Sequence, residues 1–183
     1  MSKLFIPGQH KPFNVRGGQT TRKPVPGSRI AKQLTTKIMR NAWLLIVDDD
    51  ISFLNAIKEK LSREGWKQID TASDETEATD KLKTHRYDYV VLDSVLSKRN
   101  KEDTTGGIKL LKSLITNPDS PTNFGTPALL WSSQQSTEAE RGLTIFDAAK
   151  LKEESVQIRK KEELCDAAEL SHLIIDGISS KKT

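Results

Sequence analysis

The sequence has a single cysteine, Cys165, and only three histidines, His10, His85 and His172, far apart from one another. One thiol excludes an internal disulfide, and without a second cysteine or a spaced histidine beside it a zinc site has no ligand set. A reducing, cytoplasmic setting is the expectation. The scattered histidines give no local support to a hydrolytic triad or metallo-hydrolase cluster and read as surface or structural side chains. Long apolar runs are also missing. The longest, residues 42–47, falls far short of the roughly 20 residues that cross a bilayer. The opening Met1-Ser2-Lys3-Leu4 begins no signal-peptide core, so a soluble chain without membrane insertion is expected.

Acidic residues are absent from the first 42 positions, which hold nine basic ones: Lys3, Lys11, Arg16, Arg22, Lys23, Arg29, Lys32, Lys37 and Arg40. The whole chain carries +4, from 29 basic and 25 acidic side chains. Beyond residue 42, 20 basic side chains therefore face 25 acidic ones, a net −5. An acidic body carries a basic arm. Pro7, Pro12, Pro24, Pro26 and four glycines disfavour a packed core before about Ser28. Ile30, Leu34 and Ile38 then fall at helical spacing, which predicts a short amphipathic helix over 28–40 capped by Ser28. The arm reads as a strap on its own domain, as an anchor for an acidic protein or nucleic acid, or as a transit peptide that is acid-poor but not serine-rich. Only Phe5 and Phe13 are interleaved and no base-reading motif is visible, so nucleic acid is the lesser partner for residues 1–42.

From Trp43 the chain alternates short apolar runs with amphipathic stretches, the pattern of βαβ units and a parallel sheet covered on both faces. Strands are expected at 43–47, 68–71, 87–92, 128–131 and 156–159. Helices are expected on Phe53, Leu54, Ile57 and Leu61, ended by Gly65; from Asp74 with Glu77 as a capping box; over 108–115; over 137–152; and through Leu164 to Ile174 with a stop at Gly177. Five strands and five helices make one doubly wound (βα)5 domain over 43–178, between the arm and a 179–183 tail.

In an open parallel sheet the ligand crevice lies beyond the carboxyl ends of the strands. Asp48, Asp49 and Asp50 follow the first strand, Asp93 follows the third, and Ser132 and Ser133 follow the fourth. Each aspartate alone is explained by helix capping or a turn. Together, carboxylates converging from two strand ends call for a hard divalent ion such as Mg2+. A hydroxyl and a lysine cluster beside them complete the makings of a phosphoryl-transfer site.

The runs Leu45-Ile46-Val47-Asp48-Asp49-Asp50, Thr71-Ala72-Ser73-Asp74 and Tyr87-Asp88-Tyr89-Val90-Val91-Leu92-Asp93 resemble the receiver domain of two-component response regulators, over about residues 43–178. The resemblance implies a flavodoxin-like fold with Asp93 as phosphoacceptor. It implies Mg2+ bound directly by Asp49 and Asp93, through water by Asp48, and by the Val95 carbonyl. It implies Ser132 as switch hydroxyl and a lysine on the transferring group. Lys160 is favoured for that role because it leaves helices of ordinary length, with Lys150 and Lys161 as alternatives; none is followed by the family's usual proline. The 94–105 loop is longer than usual and lacks its proline.

A receiver of this kind takes its phosphoryl group from a histidine kinase or phosphotransfer protein and modifies itself rather than turning over substrate. With no output domain after residue 183, a stand-alone receiver that signals by binding a downstream protein is expected. The alternative is a phosphorylation-independent scaffold fixed by its arm. A phosphatase is disfavoured because Val95, not aspartate, stands two residues after Asp93.

Overall fold

In the computed structural model the residues described are 39–96, 106–116, 122–132, 156–161 and 166–180. They form, in chain order, β1 (Trp43–Val47), α1 (Ile51–Arg63), β2 (Gln68–Ala72), α2 (Glu75–Thr84), β3 (Tyr89–Asp93), α3 (Gly106–Thr116), β4 (Ala128–Ser132), β5 (Val156–Lys160) and α4 (Ala167–Ser180). The helix expected over 137–152, Cys165, and the arm helix apart from Met39 and Arg40 lie outside the described residues.

All five strands pair in parallel in the order β2-β1-β3-β4-β5. Alternating side chains point to opposite faces of a strand, and here both faces are apolar. Leu45, Val47, Val90, Leu92 and Leu130 pack with Ala78 and Leu82 of α2 and with Leu111 and Leu114 of α3. Leu44, Ile46, Tyr89, Val91, Leu129 and Trp131 pack on the other face with Leu54, Ile57 and Leu61 of α1 and Leu170, Ile174 and Ile178 of α4. Two cores sandwiching one parallel sheet in this order give the doubly wound, flavodoxin-like fold.

Local signals set most of the boundaries. Asp50 caps α1, its side chain accepting from the Phe53 N–H. Gly65, at φ 96°, follows the end of α1. Asp74 caps α2 by accepting from the Glu77 N–H, and Glu77 reaches back to the Ser73 N–H.

Other boundaries moved. β3 starts at Tyr89, because the Tyr87 N–H goes to the Asn123 side chain and the Asp88 N–H to the Trp43 carbonyl in place of ladder partners. α3 begins at Gly106 rather than at residue 108. β4 and β5 each run one residue further than expected. Gly177 does not stop the last helix but lies inside α4, where an added Cβ would come 2.2 Å from the Tyr89 ring. Its missing side chain lets the helix lie directly on β3.

The arm enters the domain at a fixed place. Met39 is buried and accepts at Sδ from the Ser179 hydroxyl, and Arg40 pairs with Glu64. The Trp66 indole N–H donates to the Ser171 hydroxyl, joining the α1–β2 turn to α4.

Candidate functional site

Strand β1 lies between β2 and β3, so the chain winds in opposite directions from its two sides, and a crevice opens beyond its carboxyl end. The run Asp48-Asp49-Asp50 enters that crevice and its members divide the work. Asp48 is wholly buried; its Oδ1 accepts from the Asp50 N–H at 3.0 Å, turning the chain into α1. Asp50 caps the helix. Asp49 is exposed, yet one of its oxygens belongs to a cluster with Asp48 and Asp93 in which the three ligand atoms lie within 4.8 Å of one another.

Asp93 is the last residue of β3 and is also buried. Its Oδ1 accepts from the Val95 N–H at 3.2 Å and its Oδ2 from the Lys161 ammonium at 2.6 Å. The same ammonium stands 2.6 Å from Asp48 Oδ2 as an ion pair, and among the described residues this buried oxygen has no hydrogen-bond partner. Burial pushes the Asp93 carboxyl up to about 6 against the pull of Lys161, and burial likewise raises Asp48. Burial would lower the Lys161 ammonium, but its close contacts with the Asp48 and Asp93 carboxylates outweigh that and raise it. Three carboxylates beside one ammonium leave an excess of negative charge, and two of the three are buried. Hard oxygen donors, an under-satisfied buried carboxylate oxygen and that excess charge fit a divalent cation such as Mg2+.

The raised Asp93 pKa has a consequence for stability. Between an unfolded carboxyl near 3.8 and a native one near 6, the folded state holds the proton more tightly. The group therefore supports the fold below about 4, and this support is lost as pH rises through 6. In metal-free buffer Asp93→Asn is expected to stabilise the protein at pH 7 by roughly 2–3 kcal/mol and to have little effect at pH 3.5. Denaturant unfolding at the two pH values checks this; equal or lower stability of the variant at pH 7 contradicts it.

The structure sets Lys161, and not the expected Lys160, against the acids. Lys160 is exposed, the last residue of β5 and the register partner of Ser132. Because β5 runs through residue 160, the side chain that turns over the strand end onto the acids is that of Lys161. Lys150 lies outside the described residues. Ser132, half-buried, closes β4 on the same rim, one residue after the register partner of Asp93, Trp131. Val95 presents its N–H to Asp93.

Two aromatic residues that the sequence pattern gives only as a helix-face position and a strand end also lie at the site. Phe53 and Trp131 stack edge to face at 5.2 Å and 72°, with the Lys161 nitrogen 5.2 Å and 5.8 Å from their ring centroids. Strand alternation puts Trp131 on the same face as Leu129, and this is the one signal the sequence carries for it.

Residues 44–148 match the model for the response regulator receiver domain. A stretch of 58 residues is 38% identical to the transcriptional regulatory protein YvrH of Bacillus subtilis (strain 168), covering 32% of this chain. The chain spans about a quarter of that protein, 24% of its length. Among solved structures, the receiver domain of the Francisella response regulator 1452 is 28% identical with a TM-score of 0.53, covering 77% of this chain and 99% of that one. A CheY-like receiver protein from Methanospirillum hungatei JF-1, 17% identical with a TM-score of 0.53 over 78% of this chain and 97% of that one, shares the fold. With more than half its length matched and the acid cluster seated where this sheet opens its crevice, the chain belongs to the response regulator receiver domain family of two-component signalling.

Proposed function

We propose that Asp93 accepts a phosphoryl group from the phosphohistidine of a histidine kinase or phosphotransfer protein, and that the receiver signals by binding a downstream protein. The observation that carries this reading is the meeting of Asp48, Asp49 and Asp93 under the Lys161 ammonium at the ends of β1 and β3. Asp48, Asp49, Asp93 and the Val95 carbonyl would hold Mg2+, which when bound offsets the charge of the incoming phosphoryl oxygens.

The remaining chemistry belongs to the chain. An Asp93 carboxylate oxygen forms a bond to phosphorus as the phosphorus–nitrogen bond breaks, and the released electron pair stays on the imidazole nitrogen. The product is an acyl phosphate and a free histidine, with no redox change. Burial keeps water from competing at Asp93. As Asp93 loses its carboxylate charge, Lys161, already within 2.6 Å of it, passes to the phosphoryl oxygens. The Ser132 hydroxyl at the neighbouring strand end is the group to bond them next, shifting the packing behind it.

In this reading residues 43–178 are the receiver and the basic 1–42 arm supplies attachment to an acidic partner in the cytoplasm, with nucleic acid the lesser candidate. The test is the intact mass of the protein after incubation with a small acyl phosphate and Mg2+, beside Asp93→Asn. A gain of one phosphoryl group that needs Mg2+ and is absent from the variant is expected. No gain from several donors, in protein shown to be folded, overturns the proposal in favour of a phosphorylation-independent scaffold.

A further inference from the structure

The ammonium at the acid cluster arrives from an insecure place. Lys161 follows β5, an edge strand in which no side chain is fully buried, and it extends a long stem with much rotamer freedom. Its side chain is nonetheless only 22% exposed. Its two acidic partners cannot be constant anchors, because a bound cation would share their charge and a phosphoryl group would cancel that of Asp93.

We propose that Phe53 and Trp131 are positioning residues that hold the Lys161 ammonium over the cluster through their ring faces, independently of the charge on the aspartates. This inference rests on the reading of Asp93 as phosphoacceptor and adds two residues to it. The nitrogen lies 5.2 Å from the Phe53 centroid and 5.8 Å from that of Trp131, inside the roughly 6 Å reach of a cation–π contact. The edge-to-face packing of the two rings, at 72°, fixes each against the other.

Each ring is itself held by the fold. Phe53 is the residue whose N–H closes the Asp50 cap, so the turn that presents the acids also presents the ring. Trp131 is fully buried beside Asp93 in the sheet, and among the described residues its indole N–H has no hydrogen-bond partner. An aliphatic side chain would fill this core position without that unmet N–H. What the indole adds is its electron-rich face, and Lys161 is the cation placed against it. A ring face has a second merit here: unlike a further carboxylate, it attracts the ammonium without repelling phosphoryl oxygens.

The test compares Phe53→Leu, which keeps apolar bulk and loses the ring, with Phe53→Tyr, which restores it, and Trp131→Phe as an independent arm. One readout is the rate of Mg2+-dependent phosphoryl uptake from a small acyl phosphate, beside a melting curve for each variant. The other is the NMR position of the Lys161 ε-methylene, shifted upfield by ring currents. Phe53→Leu is expected to slow uptake about fivefold and to move the Lys161 signal toward that of a free lysine, with Phe53→Tyr recovering both and Trp131→Phe giving a partial change. An unchanged signal in Phe53→Leu, or equal loss in the Leu and Tyr variants, overturns the proposal. If wild-type protein takes up no phosphoryl group at all, the functional reading fails, while the NMR comparison still decides whether the rings hold the ammonium.

Discussion

Gly107→Ala is expected to unfold or rearrange the acceptor end of the sheet, lowering stability by about 3 kcal/mol or more. The first turn of α3 lies so close to the end of β3 that a Cβ on Gly107 would stand 1.6 Å from the Asp93 carbonyl oxygen, 2.7 Å from its carbonyl carbon and 3.2 Å from the Ser94 Cα. All three are backbone atoms, so no side chain can swing aside, and either α3 must lift or the Asp93 backbone must move. At roughly 2–4 °C per kcal/mol for a chain of this size, the melting temperature should fall by about 6–12 °C. Phosphoryl uptake should fall with it, since the displaced residue is the proposed acceptor. Gly106 is the internal comparison. Its added Cβ would meet Leu96 Cβ at 3.0 Å and the Leu96 carbonyl at 3.3 Å, a contact relieved by a small shift. Gly106→Ala should therefore cost about 1 kcal/mol. Thermal unfolding of the two variants side by side is the measurement, and equal melting temperatures would show that α3 does not rest on Asp93.

Lys161→Met should slow phosphoryl uptake by about 100- to 1,000-fold, the range for loss of a preorganised charge at a reacting centre. Lys160→Met should change it by less than about threefold, as for an exposed charge away from the reacting atoms. The contrast follows from the 2.6 Å contacts of Lys161 with both Asp48 and Asp93, against the solvent-facing end of β5 at Lys160. Methionine keeps the length and apolar stem of the lysine, so packing is disturbed little while the charge is removed. A time course of intact mass distinguishes the two. The opposite ranking would return the role to Lys160.

These two neighbouring lysines mark where the sequence was legible and where it was not. The central strands β1, β3 and β4 are continuous apolar runs because both of their faces are covered, and the acids directly after β1 and β3 are readable from topology alone. At the edge the signal weakens. β5 has polar or charged residues at three of its five positions, among them its last two, so hydrophobicity does not say where it ends, and a one-residue difference in that end exchanges Lys160 for Lys161. Tyr87 has the composition of a strand, but Asn123, 36 residues away, takes its N–H. Gly177 has the look of a helix stop, yet its small size serves Tyr89 on β3. The aromatic pair was hidden for a similar reason: Phe53 and Trp131 are 78 positions apart in the sequence, and each alone reads as ordinary core. In every such case the deciding neighbour is distant in the chain, and local pattern carries no trace of it.

The edge position of β5 also makes the strand a latch for the charge at the sheet's centre. An edge strand with no fully buried side chain is among the first parts of a sheet to open in local fluctuations. When it does, it carries away the cation shared by two buried carboxylates. The attraction at the cluster is thus part of what keeps the edge closed, and by reciprocity the state of the cluster sets how often the edge opens. Added anionic charge tightens the latch, and neutralisation from another source loosens it. Amide exchange along β5 is in this sense a remote gauge of electrostatics at Asp93, read at the margin of the molecule.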